Sequence, residues 1–287
     1  MSLSIQEITT HAKNVLCALF ALILPFVGIG LPELGAKGPE DSEIVRIMSF
    51  NVRDGEFDRE EIVPQVVADY MPDSVGLQEC EGTWYLTLKT YLPDYKIVGV
   101  GRWTGIRQLG ESTAIMYRKD KYELVDWGTF WLSETPHLVS KGWDANYPRT
   151  CTWAILQNKA TGEKYAHFNT HLDNGGAQAR EEGLKLILDK ISKLDMPVVL
   201  TGDFNFTKGT ALYRHLTTDL NDVSAIAAVA DSGGTAHGYG GGIGTAPIDF
   251  ICVNDKITSV KTYKIIRDKY NDRYVSDHYP IYSDMVI

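Results

Sequence analysis

The chain has 287 residues, of which 44% are hydrophobic and 23% are charged, and its formal net charge is −9. This length and composition suit one large folded domain or two small ones. The acidic balance excludes the broad basic surface with which a protein grips duplex DNA non-specifically. A phosphate group can still be bound locally where a metal ion supplies the positive charge.

The first segment of the chain is an apolar stretch. Residues 15–31 contain no charged side chain, and Lys13 lies just before them. This pattern is typical of an export signal or of a short membrane anchor. Because Pro25 interrupts the run and a spanning helix needs about 20 apolar residues, we expect residues 1–37 to be a cleaved leader. An uncleaved anchor, which would hold the protein transiently at a membrane, and a buried helix are the alternatives.

The leader prediction places the protein outside the cytoplasm, as a periplasmic, secreted or membrane-anchored protein. Residues 38–43 contain Gly38, Pro39 and three acidic residues, which indicates a linker. We therefore expect the catalytic domain to cover residues 44–287. The three cysteines in that region form no Cys-x-x-Cys pair, which predicts buried free thiols and no structural zinc site.

Beyond the linker, short runs rich in β-branched and aromatic residues alternate with helical patterns. The strand-like runs are residues 45–51, 74–78, 97–100, 113–117, 150–157, 165–170, 197–201 and 248–253, with 261–266 and 279–287 as two further candidates. Helical patterns cover residues 58–70, 83–92, 177–194 and 210–216. Several strands are too close in sequence to be joined by helices, so the pattern predicts an α/β fold with mixed sheets. The glycine-rich residues 233–244 predict a mobile loop.

Polar clusters stand at or near the ends of these strand-like runs. Asn51 ends the first run, and Glu79 directly follows the second. A carboxylate at the rim of a buried strand costs free energy unless it is solvated, paired or bound to a cation. Mg²⁺ takes oxygen ligands from one or two carboxylates, with water and substrate completing its shell. For either residue alone, a plain surface role is an equal alternative.

Asp203 and Asn205 follow the run at 197–201 and are two residues apart. In extended backbone, side chains at this spacing point the same way, so one carboxylate and one amide can face one substrate. A local Asx turn is the alternative for this pair.

Two histidines, His171 and His278, are the candidates for proton transfer, because imidazole titrates near neutral pH. Each needs a carboxylate to set its tautomer, and Asp249 and Glu111 are available. His167 and His171 have the spacing of zinc ligands on a helix. Their strand-like surroundings separate them by about 13 Å, so we do not expect a zinc site.

Substrate contacts are predicted from three further residues. Arg102 and Arg149 are candidate phosphate ligands. Trp131 belongs to an aromatic segment that could stack a base or a sugar, with core packing as the alternative.

The motifs together resemble the endonuclease/exonuclease/phosphatase superfamily, the metal-dependent phosphoesterases that include pancreatic-type deoxyribonuclease and abasic-site endonucleases. Gly202-Asp203-Phe204-Asn205 and Ser276-Asp277-His278 are the most distinctive part of the match. The resemblance covers about residues 44–287 and implies a β-sandwich of two mixed sheets flanked by helices, the four-layer deoxyribonuclease-like fold. Phe130-Trp131-Leu132-Ser133 and the segment at 148–154 resemble small bacterial members related to carbon-catabolite-repressor-type deadenylases.

The resemblance also implies a role for each matching residue. Asn51, Glu79 and Asp277 would form the metal site, with Glu79 as the main ligand of Mg²⁺ and with Mn²⁺ as an alternative ion. The implied catalytic residues are Asp203 and Asn205, which would contact the phosphate and the attacking water, His171 oriented by Glu111, and His278 held by Asp249.

The sequence therefore predicts a Mg²⁺-dependent phosphoesterase that hydrolyses a phosphodiester in RNA or DNA by metal-assisted attack of water. The alternative is a phosphatase or phosphodiesterase acting on a small phosphorylated sugar, inositol or lipid headgroup, which acidity and export favour. A non-catalytic binding module of the same fold predicts gaps among the catalytic positions, and this chain has none. We expect the phosphate ester as the binding partner and no stable protein partner.

Overall fold

The computed structural model of the protein describes residues 37–39, 41, 43–55, 59, 61–242 and 244–287. The predicted leader at residues 1–37 lies outside the described residues except for Lys37, so its role stays a prediction. No described helix combines the length and the apolar character that a membrane crossing requires.

Thirteen strands and five helices make up the described part of the chain. The strands are β1 (Val45–Asn51), β2 (Ser74–Cys80), β3 (Tyr95–Val98), β4 (Ser112–Arg118), β5 (Tyr122–Trp131), β6 (Thr150–Asn158), β7 (Lys164–His171), β8 (Val198–Asp203), β9 (Asn221–Asp222), β10 (Val229–Ala230), β11 (Asp249–Val253), β12 (Ser259–Ile265) and β13 (Ile281–Val286). The helices are α1 (Ile62–Tyr70), α2 (Gly82–Tyr91), α3 (Ala177–Ser192), α4 (Ala211–Asp219) and α5 (Val223–Ile226).

The strands form two mixed sheets. The first has seven strands in the order β10-β12-β13-β1-β2-β4-β3, and the second has six in the order β5-β6-β7-β8-β11-β9. Strands β1 and β2 are parallel and are joined through α1, and β7 and β8 are parallel and are joined through α3. The remaining neighbours are antiparallel apart from β10 and β12. The predicted mixed-sheet α/β sandwich is confirmed.

Three apolar clusters show how the layers stack. One packs α1 and α2 against one face of the first sheet, and another packs α3 and α4 against the second sheet. The third lies between the sheets, where Ile47 and Ile115 of the first sheet meet Val199 and Ile251 of the second. Because strand side chains alternate between faces, each central strand contributes to two clusters. The result is a helix–sheet–sheet–helix arrangement.

Strand β5 was not among the predicted strands. It contains Glu123, Asp126 and Gly128, which are residue types with low β-propensity. It lies at the edge of its sheet and pairs along its whole length with β6. The short elements β9, β10 and α5 were also not predicted. The rest of β5 is largely aromatic or β-branched, and pairing with β6 carries the strand through Glu123, Asp126 and Gly128.

A buried polar network bridges the two sheets. His167 Nδ1 lies 2.8 Å from Ser74 Oγ and its Nε2 lies 2.8 Å from Thr201 Oγ1. Asn169 Oδ1 accepts from Thr201 Oγ1 at 3.0 Å and from Gln78 Nε2 at 2.7 Å. Burial lowers the pKa of His167 to about 3, so this imidazole is neutral. His167 is therefore a structural residue between the sheets, with both ring nitrogens engaged by hydroxyl groups.

Gly76 allows the network to form, and Gly76→Ala is expected to destabilise the fold by about 3 kcal/mol. A Cβ there would lie 2.0 Å from Thr201 Oγ1 and 2.5 Å from Asn169 Oδ1. Urea unfolding measures the cost. The control is Gly209→Ala, where the φ of +86° is strained for alanine but nothing lies within 4 Å of the added carbon, so about 1 kcal/mol is expected. Equal costs for the two variants would contradict the steric argument.

Candidate active site

The site lies where strands of both sheets end. Parallel pairing brings the ends of β1 and β2 together, with Asn51 opposite Gln78, and the ends of β7 and β8 together, with His171 opposite Asp203. Asp249 begins β11 directly opposite Asp203. These strand ends open into a cavity of about 340 Å³, which is lined by Arg53, Asp54, Glu79, Arg102, Glu111, Tyr147, Arg149, His171, Asn174, Asp203, Asn205 and His278.

Glu79 is held in an unusual backbone conformation. Its φ is 56°, in the left-handed region, where the register of β2 against β4 shifts between Leu77 and Cys80. Such a conformation costs a non-glycine residue about 1–3 kcal/mol and persists only where the surroundings enforce it. Here Glu79 Oε1 accepts from Asn51 Nδ2 at 3.2 Å and Oε2 accepts from the Asp54 N–H at 2.9 Å. The carboxylate is thereby aimed into the cavity.

An arginine side chain lies at the position that the resemblance assigns to a metal cation. The Arg53 guanidinium lies 3.8 Å from Glu79 and 3.6 Å from Asp277, between two of the predicted metal ligands. Asn51 Nδ2 also donates to Asp203 Oδ2 at 3.2 Å. The carboxylates of Glu79 and Asp277 are the hard oxygen donors that Mg²⁺ and Mn²⁺ prefer, whereas Asn51 turns its Nδ2 toward the acids and its Oδ1 accepts from the Arg53 N–H at 3.1 Å. The two carboxylates therefore fit a divalent cation, although neither Asp277 nor Asn51 lines the cavity.

Asp203 and Asn205 both face the cavity, but not because the backbone is extended. The Asn205 N–H donates to Asp203 Oδ1 at 3.0 Å, which makes an Asx turn, and Asn205 has a φ of 51°. Asn205 Nδ2 donates to the Leu172 carbonyl at 2.9 Å, which fixes the amide. The turn considered as an alternative is thus the device that presents both side chains to one cavity.

His278 and its carboxylate form a tight pair. His278 Nδ1 lies 2.9 Å from Asp249 Oδ2, as the resemblance implied, and its Nε2 lies 3.9 Å from Asp203 Oδ2. Burial lowers the pKa of His278, but the charge and hydrogen bond of Asp249 and the nearby Asp203 outweigh it and raise the pKa to about 10. His278 is therefore a cation at neutral pH.

The protonation of Asp203 differs from that of His278. Burial, reinforced by the charge of Asp249, raises the pKa of Asp203 to about 7. Ligand atoms of Asp203, Asp249 and His278 lie within 4.8 Å of one another. Because Nδ1 of His278 is already engaged by Asp249, this trio is a hydrogen-bonded acid–imidazole group rather than a metal-ligand set. A carboxyl group that titrates near neutral pH is suited to accept a proton from water.

Glu111 does not orient His171, and that implied pairing is wrong in this structure. Glu111 instead forms an ion pair with Arg102, at 2.5 Å. His171 Nδ1 is buried without a hydrogen-bond partner among the described residues, and Nε2 lies 3.5 Å from Asp203 Oδ2. Burial, then the charges of Arg149 and Arg102, hold the pKa of His171 well below its usual range. Burial raises the pKa of Glu111 to about 7 although Arg102 opposes the shift.

The two predicted phosphate ligands, Arg102 and Arg149, do line the cavity. Arg149 Nε lies 3.3 Å from Asp173 Oδ2, and Asp173 also accepts from the backbone N–H groups of Gly175 and Gly176. Asp173 was not predicted, although its position directly after His171-Leu172 was an available signal. It holds Arg149 in place beneath the cavity floor.

Trp131 is not a wall of the cavity. It is buried, and its Nε1 donates to the Arg102 carbonyl at 2.7 Å. The aromatic ring at the cavity is Tyr147, which lies 4.9 Å from the Arg102 guanidinium and 5.5 Å from that of Arg149. Sequence reasoning also missed Arg53, although it lies only two residues after Asn51. No spacing rule distinguishes Tyr147 or Arg53 from other surface residues.

Comparison with known proteins places the chain among related folds. A model of the Endonuclease/Exonuclease/phosphatase family matches residues 48–278. The mannosyl-6-phosphatase Bt3783 of Bacteroides thetaiotaomicron VPI-5482 is 33% identical, with a TM-score of 0.81 over 85% of this chain and 100% of that one. A protein of Bacteroides vulgatus described as an endonuclease/exonuclease/phosphatase is 36% identical, with a TM-score of 0.79 over 84% of this chain and 98% of that one.

A more distant likeness shows the fold alone. TDP2 of D. rerio, solved with a single-strand DNA product, is 21% identical, with a TM-score of 0.67 over 85% of this chain and 99% of that one. Among curated proteins, none matches this sequence significantly.

Proposed function

The chain belongs to the endonuclease/exonuclease/phosphatase family, a superfamily of phosphoesterases, and from this premise we propose that it is a metal-dependent phosphatase of a small phosphorylated sugar. The observation that carries the proposal is the convergence of Asp203, cationic His278, Arg102 and Arg149 on one cavity of about 340 Å³. The 33% identity with a mannosyl-6-phosphatase over 85% of this chain supports the sugar.

Charge favours a monoester over a diester. The cavity is lined by four cationic groups and four carboxyl groups, so a divalent cation bound there would make the site positive overall; they are Arg53, Arg102, Arg149 and His278, and Asp54, Glu79, Glu111 and Asp203. A phosphate monoester carries close to two negative charges at neutral pH and a diester carries one, and charge-assisted hydrogen bonds are about twice as strong as neutral ones. A preference for the dianion follows. The sequence alone had favoured a phosphodiester in RNA or DNA, and this electrostatic argument reverses that order.

Each residue of the cavity has a separate role in the proposed hydrolysis. Asp203, ionised above its pKa of about 7, accepts the proton of the attacking water. His278, held by Asp249, donates a hydrogen bond to a phosphoryl oxygen from Nε2 and stabilises the charge that develops there. His171 is neutral, lies 3.5 Å from Asp203 through its Nε2, and contributes a polar side chain to the cavity lining. Arg102 and Arg149 orient the phosphate.

A divalent cation is part of the proposal. Glu79 and Asp277 would hold it, and when bound it polarises the phosphoryl oxygen and neutralises charge in the transition state. Export is also part of the proposal and is supported only by the sequence of residues 1–37.

A substrate panel tests the function. With Mg²⁺ present, we expect kcat/KM for mannose 6-phosphate and p-nitrophenyl phosphate to exceed that for bis(p-nitrophenyl) phosphate by about 100-fold, the value of one charge-assisted contact. Phosphate release and p-nitrophenolate absorbance are the measurements, and Asp203→Asn prepared identically controls for contaminating phosphatases. Faster cleavage of the diester, or of a single-stranded oligonucleotide, would instead support the nuclease hypothesis.

A further inference from the structure

Exposed apolar side chains are concentrated on two loops. Of the nine large hydrophobic side chains that are exposed among the described residues, five lie on the β3–β4 loop (residues 99–111) or the β5–β6 loop (residues 132–149). They are Trp103, Ile106, Leu138, Val139 and Tyr147. The other four are spread over β5, α5, β10 and β13. Exposed apolar groups collected in one region mark a site of interaction.

Hydrogen bonds and close backbone contacts within each loop define its conformation. In the β3–β4 loop, Gly101 N–H donates to the Ile106 carbonyl at 3.0 Å, and a Cβ at Gly101 would lie 1.8 Å from the Leu109 carbonyl oxygen. In the β5–β6 loop, Ser140 Oγ bonds Ser133 Oγ at 2.6 Å and the Leu138 carbonyl at 2.9 Å. Contacts within each loop therefore fix its backbone and the positions from which its apolar side chains project.

Trp131 joins the two loops. Its Nε1 donates to Arg102 in the β3–β4 loop, and its backbone N–H donates to the Pro136 carbonyl in the β5–β6 loop. At Gly105 an added Cβ would lie 3.5 Å from the Trp131 ring and 3.1 Å from Val139 Cγ2. The loops therefore contact each other over the buried Trp131 indole.

The same loops line the catalytic cavity. Arg102 and Glu111 come from the β3–β4 loop, and Tyr147 and Arg149 come from the β5–β6 loop. Tyr147 is 42% exposed, and both guanidiniums lie against its ring. The aromatic ring of Tyr147 therefore lies beside the arginines that would bind the phosphate.

We propose that these two loops form the subsite for the leaving group, and that its occupant is the hexose ring that carries the scissile phosphate. The proposal rests on the phosphatase function above and adds its specificity. A pyranose has an apolar C–H face that packs on an aromatic ring, while its phosphate is drawn to Arg102 and Arg149. Binding energy from this non-reacting part of the substrate orients the phosphate for attack.

The test compares two primary alkyl phosphates with and without a ring. Mannose 6-phosphate and glycerol 1-phosphate present the same kind of scissile bond, so the ratio of their kcat/KM values isolates the ring. In Tyr147→Ala that ratio is expected to fall about tenfold, mainly through KM, whereas Tyr147→Phe retains most of it. Ile226→Ala removes a similarly exposed side chain on α5 and leaves the ratio unchanged. Thermal unfolding of each variant checks that the fold is intact.

The outcomes separate this proposal from the function on which it rests. An unchanged ratio in Tyr147→Ala, including an equal fall for both substrates, overturns the hexose subsite while leaving the phosphatase function standing. A wild-type preference for a nucleoside 5′-monophosphate over the hexose phosphate also overturns it. If the wild type hydrolyses neither alkyl phosphate, the function fails, and calorimetric titration with mannose 6-phosphate decides the subsite. Binding that Tyr147→Ala weakens about tenfold supports the subsite, and equal affinity of the wild type and Tyr147→Ala overturns it.

Discussion

Asp203→Asn is expected to lower kcat by about 10³–10⁴-fold while leaving the protein folded. An amide cannot accept the proton that the carboxylate takes from water, and general-base catalysis is worth about that factor. The Asn205 N–H still finds an oxygen acceptor in the amide, so the Asx turn that shapes the site is retained. Steady-state kinetics on the monoester measure the loss. A kcat within tenfold of the wild type would remove Asp203 from its role.

The same substitution is expected to stabilise the metal-free protein at alkaline pH. The pKa of Asp203 is raised from 3.8 to about 7, so between these values the folded state holds a proton that the unfolded state has lost. Wild-type stability therefore falls as the pH rises from 4 to 7, by about 3 kcal/mol in total, and Asp203→Asn escapes that loss. The gain is present at pH 8 and disappears below pH 4.

Urea unfolding in EDTA at pH 4 and at pH 8 measures this difference. Asp195→Asn is the matched control, because that side chain is 97% exposed and its removal is expected to change stability by less than about 0.5 kcal/mol. If Asp203→Asn is no more stable than the wild type at pH 8, the buried carboxylate of Asp203 does not lower the free energy of unfolding. If Asp203→Asn loses activity but gains stability, the buried carboxylate serves function at the expense of stability.

Removal of divalent cations is expected to abolish turnover, and Mg²⁺ or Mn²⁺ is expected to restore it. The loss is large because the ion neutralises charge that Arg102 and Arg149, each already paired with a carboxylate, offset only in part. Activity after dialysis against EDTA, followed by titration with Mg²⁺, measures the effect. Full activity in EDTA would contradict the assignment.

Glu79→Gln separates a metal site from a merely acidic surface. A cation that binds only the folded state raises its melting temperature, so Mg²⁺ is expected to raise the Tm of the wild type by a few degrees and to leave that of Glu79→Gln unchanged. Glu123→Gln, an exposed acid on β5, is the matched control and retains the shift. Equal shifts in all three proteins would place the ion elsewhere.

The positions that the sequence predicted well share a local cause. Asn51, Glu79 and Asp203 stand at the ends of strands whose parallel pairing brings those ends to one edge. His278 precedes β13, which is antiparallel to β1 and therefore begins at the same edge. The family motifs around Asp203 and His278 then supply the fold. Strand β5 was missed because its pairing with β6 outweighs the low propensity of Glu123 and the other polar residues along it.

By itself, then, the sequence determined the family, the mixed-sheet sandwich and which acids and imidazoles lie near the phosphate, because short-range patterns and strand order encode those features. Only the tertiary structure decided that Glu111 pairs with Arg102 instead of His171, and that Trp131 lies beneath the loops while Tyr147 lines the cavity. Those choices depend on how the irregular β3–β4 and β5–β6 loops pack on each other. Side chains in these loops do not alternate regularly between two faces, as they do in a strand, so the sequence does not show which way each one points. Tertiary contacts between residues far apart in sequence decide the partner of each side chain.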